Sequence, residues 1–292
     1  MYKSLDEDGN EIYKLGKLSS TDNLTISLKL LLKSKNNTLT KNISLFEYIP
    51  QYKESNQAYN YYEKDHIPVI ELNSFSRMSS DDNSIEKFLE DGKMLNGVDK
   101  LIIDLRGNPG GSMINIEKWY KGFTGQSLPN DIVEAGLYTD TSIALSENKF
   151  KSKKNETEDI KDICLDKIES YSKKDFYPGW SPIKYEESPS IENDSNIIIL
   201  VDKNTSSAAE FFVYYLKKME KVSTVGTITN GCVLTGNCNT AYLPNSNIKI
   251  NISHKIYMSK DLNNIDGLGL MPDYWVKPRE SMKAAINYLQ KK

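Results

Sequence analysis

The alternation of apolar and polar positions changes rhythm near residue 66. Before it, two alternating runs, Leu24–Leu32 and Thr38–Leu45, flank the turn-forming Ser34-Lys35-Asn36-Asn37, which predicts a β-hairpin. Residues 1–48 read as β structure throughout, and so short a segment buries little surface by itself. Residues 49–65 are polar, tyrosine-rich and aperiodic, and are expected to form a linker.

From His66 onward, strands and helices alternate. Ile67–Leu72 predicts a strand, and Ser84–Leu95 an amphipathic helix with Ile85, Phe88, Leu89 and Leu95 on one face. Lys100–Leu105 predicts a second strand, leading through a glycine-rich turn to a helix around residues 114–123. Asn196–Val201 is almost wholly apolar, as a strand buried on both faces must be. A helix from Ser207 to about Met219 follows, with Phe211, Phe212, Tyr215, Leu216 and Met219 at helical spacing. Strand–turn–helix units in series predict an α/β domain with a parallel-rich sheet, and Leu101–Asp104 and Asn196–Val201 as neighbouring central strands. Leu128–Glu192 breaks the rhythm. It reads as an insertion near the site with one helix around Ile160–Tyr171, its basic run Lys149–Lys154 a solvated loop.

Composition narrows the function classes. A net charge of −3 lacks the basic excess that nucleic acid or an anionic membrane demands as a partner. The longest purely apolar stretch, Ile197–Val201, falls far short of the ~18 residues of a membrane span, so no membrane insertion is expected. The polar, acidic start MYKSLDEDGN has no apolar core and is not read as a signal peptide. Three cysteines, Cys164, Cys232 and Cys238, make no disulfide framework, although Cys232 and Cys238 could pair across a short loop in an exported chain. With two histidines, His66 and His254, and no metal-ligand spacing, neither a metal nor another cofactor is expected.

Two turns carry the candidate chemistry. In Leu101–Ser112, LIIDLRGNPGGS, a strand runs through Gly-Asn-Pro-Gly-Gly into a helix and presents backbone N–H groups that bind negative charge, a phosphate or the oxyanion of acyl transfer. No lysine stands where a phosphate loop needs one, and a plain tight turn accounts for the same glycines. In Val201–Phe212, VDKNTSSAAEFF, hydroxyls sit at a strand-to-helix turn on the carboxyl edge of the sheet, with small Ala208 and Ala209 behind them. A hydroxyl there suits a nucleophile, but taken by itself this turn is better read as a helix cap.

Taken together and in this order, the two turns resemble those of the tail-specific (C-terminal-processing) serine proteases, family S41. The family's Asp-Leu-Arg-x-Asn-x-Gly-Gly stands as Asp104–Gly111, its Ser-Ala-Ser-Glu as Ser207-Ala208-Ala209-Glu210, and its Gly-x-Gly-Ile-x-Pro-Asp as Gly267–Asp273. The resemblance covers roughly residues 60–280. It implies a crotonase- or ClpP-like αβ core over residues 66–292, with residues 1–48 the end of a PDZ-like domain. It makes Ser207 the nucleophile and gives the oxyanion hole to the N–H groups of Gly110 or Gly111 and of Ala208. It also implies amide hydrolysis of peptides or unstructured protein tails through an acyl-enzyme, and an extracytoplasmic or secreted location.

The family's lysine base has no counterpart, because Cys232 stands at its position in Val225–Cys232. The stretch is nearer the tricorn-like branch, which takes a histidine from upstream of the PDZ-like domain and a carboxylate near the C-terminal motif. Asp266 stands where that carboxylate is expected, and a turn residue is an equal reading of it. His66 opens the first core strand, at the end away from the site. His254 alternates with Ile248, Ile250, Ile252 and Ile256, and is expected to be a packed core histidine rather than the base. The base is therefore expected from a missing N-terminal segment or a partner chain. A catalytically silent relative that binds peptide or polysaccharide is the other reading. An acyl-CoA enzyme of the crotonase type fits the Ser207 and Pro272-Asp273 segments less well.

Overall fold

The computed structural model describes residues 2–14, 32–34, 37–39, 55–129, 132–152, 158–183, 191–236, 238–258 and 266–292. Along the chain, β1 (Tyr2–Leu5) and β2 (Glu11–Lys14) form one antiparallel hairpin, and β3 (Leu32–Ser34) and β4 (Asn37–Leu39) a second. Then come β5 (Tyr59–Lys64), β6 (Ile67–Leu72), α1 (Ser84–Met94), β7 (Lys100–Asp104) and α2 (Met113–Thr124). The insertion supplies β8 (Val133–Tyr138), α3 (Asp140–Ser152), α4 (Glu158–Tyr171) and β9 (Gly179–Trp180). The core resumes with β10 (Asn196–Val201), α5 (Ala208–Leu216) and β11 (Val222–Gly226). It ends through β12 (Thr235–Gly236), β13 (Asn239–Tyr242), β14 (Lys249–Ile252), β15 (Lys255–Met258), β16 (Tyr274–Trp275) and α6 (Pro278–Gln290).

A six-stranded sheet in the order β16-β11-β10-β7-β6-β5 organises the α/β fold. Its pairs are parallel except β5 with β6. The central strands β7 and β10 are neighbours, as their apolar runs predict. Alternation along them feeds two cores. Leu101, Ile103, Ile197, Ile199 and Val201 face α1, α2 and α5, where Phe88, Trp119 and Phe212 pack ring against ring. Ile102, Ile198 and Leu200 face the other way, onto Ala285, Ile286 and Leu289 of α6 and Leu5 of the N-terminal hairpin. Both faces are covered, which is why these strands lack polar alternation.

Four expectations change. Residues 59–64 are not linker but edge strand β5, whose buried Tyr59 donates its hydroxyl to Asp91 at 2.6 Å; pairing with β6 overrides the polar composition. Residues 149–152 of the basic run continue α3 rather than forming a loop. The insertion holds two strands as well as two helices, because β8 and β9 join a second sheet in the order β12-β15-β8-β9. Residues 2–14 pack on the core: β1 lies beside β16, and Ser4 Oγ donates to the Trp275 carbonyl. The hairpin expected around residues 34–37 is present as β3 and β4, while Leu24–Leu31 and Thr40–Leu45 lie outside the described residues. The PDZ-like expectation stands on the resemblance alone. Among the described residues no helix is long and apolar enough to cross a membrane.

Candidate active site

The turns after β7 and β10 leave the same carboxyl edge of the sheet and are tied together. Asp202 Oδ1 accepts the Gly107 N–H at 3.0 Å and also caps its own turn through the N–H groups of Asn204 and Thr205. Ser206 N donates to the Asn108 carbonyl at 2.9 Å, and Thr205 Oγ1 to the Leu105 carbonyl at 2.9 Å. Upstream, buried Asp104 takes Arg106 in a two-pronged pair, Nε to Oδ1 at 2.8 Å and Nη2 to Oδ2 at 2.6 Å. Arg106 also reaches the Pro278 carbonyl and Ser281 at the start of α6. The Asp-Leu-Arg segment is thus a brace between the sheet and α6, not a reacting group.

Ser207 sits immediately before α5 with φ 55° and ψ −122°, a conformation that L-residues rarely adopt. Strain of this kind at a strand-to-helix turn also marks nucleophile elbows, and here the Ser207 side chain closes a capping box with Glu210 at the start of α5. The glycine turn lies directly against it. A Cβ on Gly110 would stand 2.9 Å from Ala208 N and 3.0 Å from Ser207 Cβ, so only glycine, at φ 101°, fits there. Gly110 N–H donates to Asn108 Oδ1 at 2.8 Å and is therefore engaged. The Gly110 carbonyl accepts from Phe75 N at 2.9 Å, and Ser112 N reaches the Phe75 carbonyl, fixing the turn on the segment after β6. Among the described residues, the N–H groups of Gly111 and Ala208 donate to no protein acceptor.

A third segment closes the site. Buried Glu210, on the first turn of α5, accepts four hydrogen bonds: Ser207 N and Cys232 N on Oε2, both at 2.9 Å, and Thr229 Oγ1 (2.6 Å) and Gly231 N (2.8 Å) on Oε1. Cys232 lies beside Ser206, which hydrogen-bonds its thiol. Partial desolvation raises the thiol's pKa, the Asp266 and Glu210 carboxylates add to this, and the Ser206 bond opposes it. Cys232 and Cys238 are both free and exposed. The Gly267–Asp273 motif docks on the same segment: Leu270 N donates to Thr229 Oγ1, Gly267 N to the Gly231 carbonyl, and a Cβ on Gly269 would stand 2.4 Å from the Thr229 oxygen.

The remaining candidates lie around this centre. Asp266 is exposed, and its Oδ1 accepts the N–H groups of Val233 and Leu234, both at 3.1 Å, just beyond Cys232. His66 is exposed in the β5–β6 turn, at the amino end of β6 and so opposite the site. His254 is not on the apolar face of a continuous strand: the backbone breaks at Ser253–His254 between β14 and β15, and Ile248 and Ile252 are exposed. Its half-buried ring meets Asn239 through Nδ1 at 3.2 Å and Tyr138 edge-on. Tyr257 of β15 touches Phe211 of α5, while His254 precedes β15 in the break. The structure brings Ser207, Ala208, Gly110, Gly111 and Cys232 together, with Asp266 at the margin and both histidines outside. Among the described residues no group of three or more His, Cys, Asp or Glu side chains is gathered as a metal would need.

Residues 66–276 match the model of peptidase family S41. The chain belongs to this family of serine peptidases. Among solved structures, mature CPAF complexed with lactacystin shares 18% identity over 77% of this chain and 50% of its own, with a TM-score of 0.48. A lipoprotein from Streptococcus agalactiae shares 22% over 80% and 70%, with a TM-score of 0.44. The photosystem II D1 C-terminal processing protease shares 16% over 77% and 46%, with a TM-score of 0.43. This chain thus spans half the length of the first of them. No curated protein matches it significantly. Within the family's Ser-x-x-Glu segment, the sequence reading gave Glu210 no role. The capping-box spacing from Ser207 to Glu210 was the available signal, and the long-range bonds to residues 229–232 had none.

Proposed function

We propose that the chain is the core of a serine peptidase that attacks peptide bonds with Ser207 Oγ. The observation that carries this reading is the strained Ser207 turn seated against Gly110, with two backbone N–H groups, Gly111 and Ala208, that have no protein acceptor among the described residues. Attack on a carbonyl carbon would place the developing oxyanion between those donors, and the small Ala208 leaves room for a substrate backbone. Of the expected glycines, Gly111 rather than Gly110 fills the donor role, because Asn108 holds the Gly110 N–H.

The substrates are unstructured tails or peptides, which can lie extended in a cleft at the sheet edge. This part of the reading rests on the three family motifs. The proton acceptor is a histidine outside the described site, from further sequence or a partner chain. His66 lies in the β5–β6 turn, His254 packs on Asn239 and Tyr138, and a thiol stands at position 232. Asp266 then serves as carboxylate partner beside that acceptor.

Labelling with a fluorophosphonate probe tests the proposal. The wild-type chain takes up the probe at Ser207, slowly when alone, and Ser207→Ala takes up none. Equal labelling of the two proteins refutes the assignment and favours a silent, peptide-binding relative.

A further inference from the structure

We infer that Glu210 is the positioning residue of this site: its carboxylate locks the strained nucleophile turn and the loop opposite it into one unit. The inference rests on the peptidase reading for its meaning, but its geometry stands apart from any catalysis. A glutamate three residues after a helix cap ordinarily does one thing, accepting the cap's own N–H. Glu210 does that with Oε2 on Ser207 N, and the same oxygen accepts Cys232 N at an equal 2.9 Å. The two nitrogens therefore lie no further apart than twice that length, although 25 positions separate them in sequence. Oε1 takes the next two donors of the same loop, Gly231 N and Thr229 Oγ1.

Both oxygens of a carboxylate that is 1% exposed are thus committed, and every donor comes from one of two segments. One segment carries Ser207, the other the position from which the family's lysine would act. A mere helix cap would leave the far segment to itself. A merely structural buried acid would have no reason to draw its donors from the two sides of the cleft. The positive φ of Ser207 needs surrounding structure to hold it, and an N–H fixed on a charged, buried acceptor does so from the nucleophile's own peptide group. Thr229 extends the unit, because its Oγ1 donates to Glu210 while accepting Leu270 N from the C-terminal motif.

The test has two arms on the whole chain, with Glu210→Gln as the main variant. In the first, amide hydrogen exchange is followed residue by residue. The Ser207, Gly231 and Cys232 amides are expected to exchange faster together, by about tenfold or more, because an amide side chain turns an N–H toward donors. The Ile198 and Ile199 amides of β10 hold their rates. In the second, fluorophosphonate labelling is resolved into its maximal rate and its half-saturating concentration. The rate is expected to fall by about tenfold while the concentration stays within about threefold. If Glu210→Gln does not fold, Thr229→Val removes one donor alone, and the same three amides still quicken together. Unchanged exchange at these amides, or uniform quickening that includes β10, overturns the inference. So does an unchanged labelling rate. If wild type and Ser207→Ala label alike, the peptidase reading fails, while the exchange arm still decides the role of Glu210.

Discussion

Replacing one side chain tests what position 232 is for. Cys232 N shares Glu210 Oε2 with Ser207 N, so a side chain at this position starts within reach of the nucleophile. Cys232→Lys would bring an amine to Ser207, but Glu210 and Asp266 act on this position and favour the ammonium. The amine is therefore expected to act as base only toward its own pKa, about 10 or above. Fluorophosphonate labelling of the variant should rise steeply at alkaline pH, and the further change Asp266→Asn should move that rise to lower pH. A flat pH profile in both variants would show that position 232 does not serve the nucleophile. At this scale the sequence was informative where chemistry is local. Ser207, Gly110, Gly111 and Ala208 lie in two motifs whose spacing shows the turn. What escaped it was side-chain traffic between motifs: Asn108 holding the Gly110 N–H, and Glu210 reaching over to Cys232. The run Ile248–Ile256 has strand periodicity through Ser253–His254, where the backbone in fact breaks, so the strand was read too long while the packed, hydrogen-bonded histidine was not misread.

Among elements, the C-terminal motif works as a clamp, and pH should reveal it. Asp273 accepts Thr224 N at 2.8 Å and Thr224 Oγ1 at 2.9 Å from β11 and pairs with Lys217 just past α5. Burial pulls its pKa upward, yet the Lys217 and Thr224 bonds outweigh that and hold the carboxyl below its ordinary 3.8. A depressed folded-state pKa means that the stabilisation is complete above the ordinary value and is lost as pH falls through the folded one. Asp273→Asn should thus cost about 1–2 kcal/mol at pH 7, modest because the pair is partly exposed. The gap between wild type and variant should narrow in denaturant titrations as pH falls below 3.8; a gap that holds its size there would contradict the clamp. The elements themselves were legible in proportion to their burial. β7 and β10 were readable because two covered faces demand unbroken apolar runs. β5 and β8 were not: β5 is an edge strand that needs only one apolar side, and β8, although flanked by β15 and β9, buries only Val133, Gly136 and Tyr138.

For the whole molecule, the contact least visible in sequence closes the second core. The stretch that matches the family, residues 66–276, ends before α6 and begins long after β1, yet both cover the sheet face formed by Val69, Ile102, Ile198, Leu200 and Val225. Leu5 is 1% exposed in that core, and Gly9 passes so close to α6 that a Cβ would stand 2.4 Å from Tyr288 N. No local periodicity reports a contact between residue 5 and a helix beginning at residue 278, so the N-terminal segment read as part of a separate domain. Leu5→Ala removes buried methyl groups from a packed site and should destabilise the chain by about 2–4 kcal/mol. Tyr13 is 67% exposed on the same hairpin, and Tyr13→Ala should change stability by under about 0.5 kcal/mol. Cutting the chain to residues 66–276 removes both coverings at once. The fragment should bind a hydrophobic dye and lose cooperative unfolding, while the full chain does neither. Should the fragment unfold as sharply as the full chain, with Leu5→Ala neutral, the sheet would be stable with one face open and the hairpin's docking incidental to the fold.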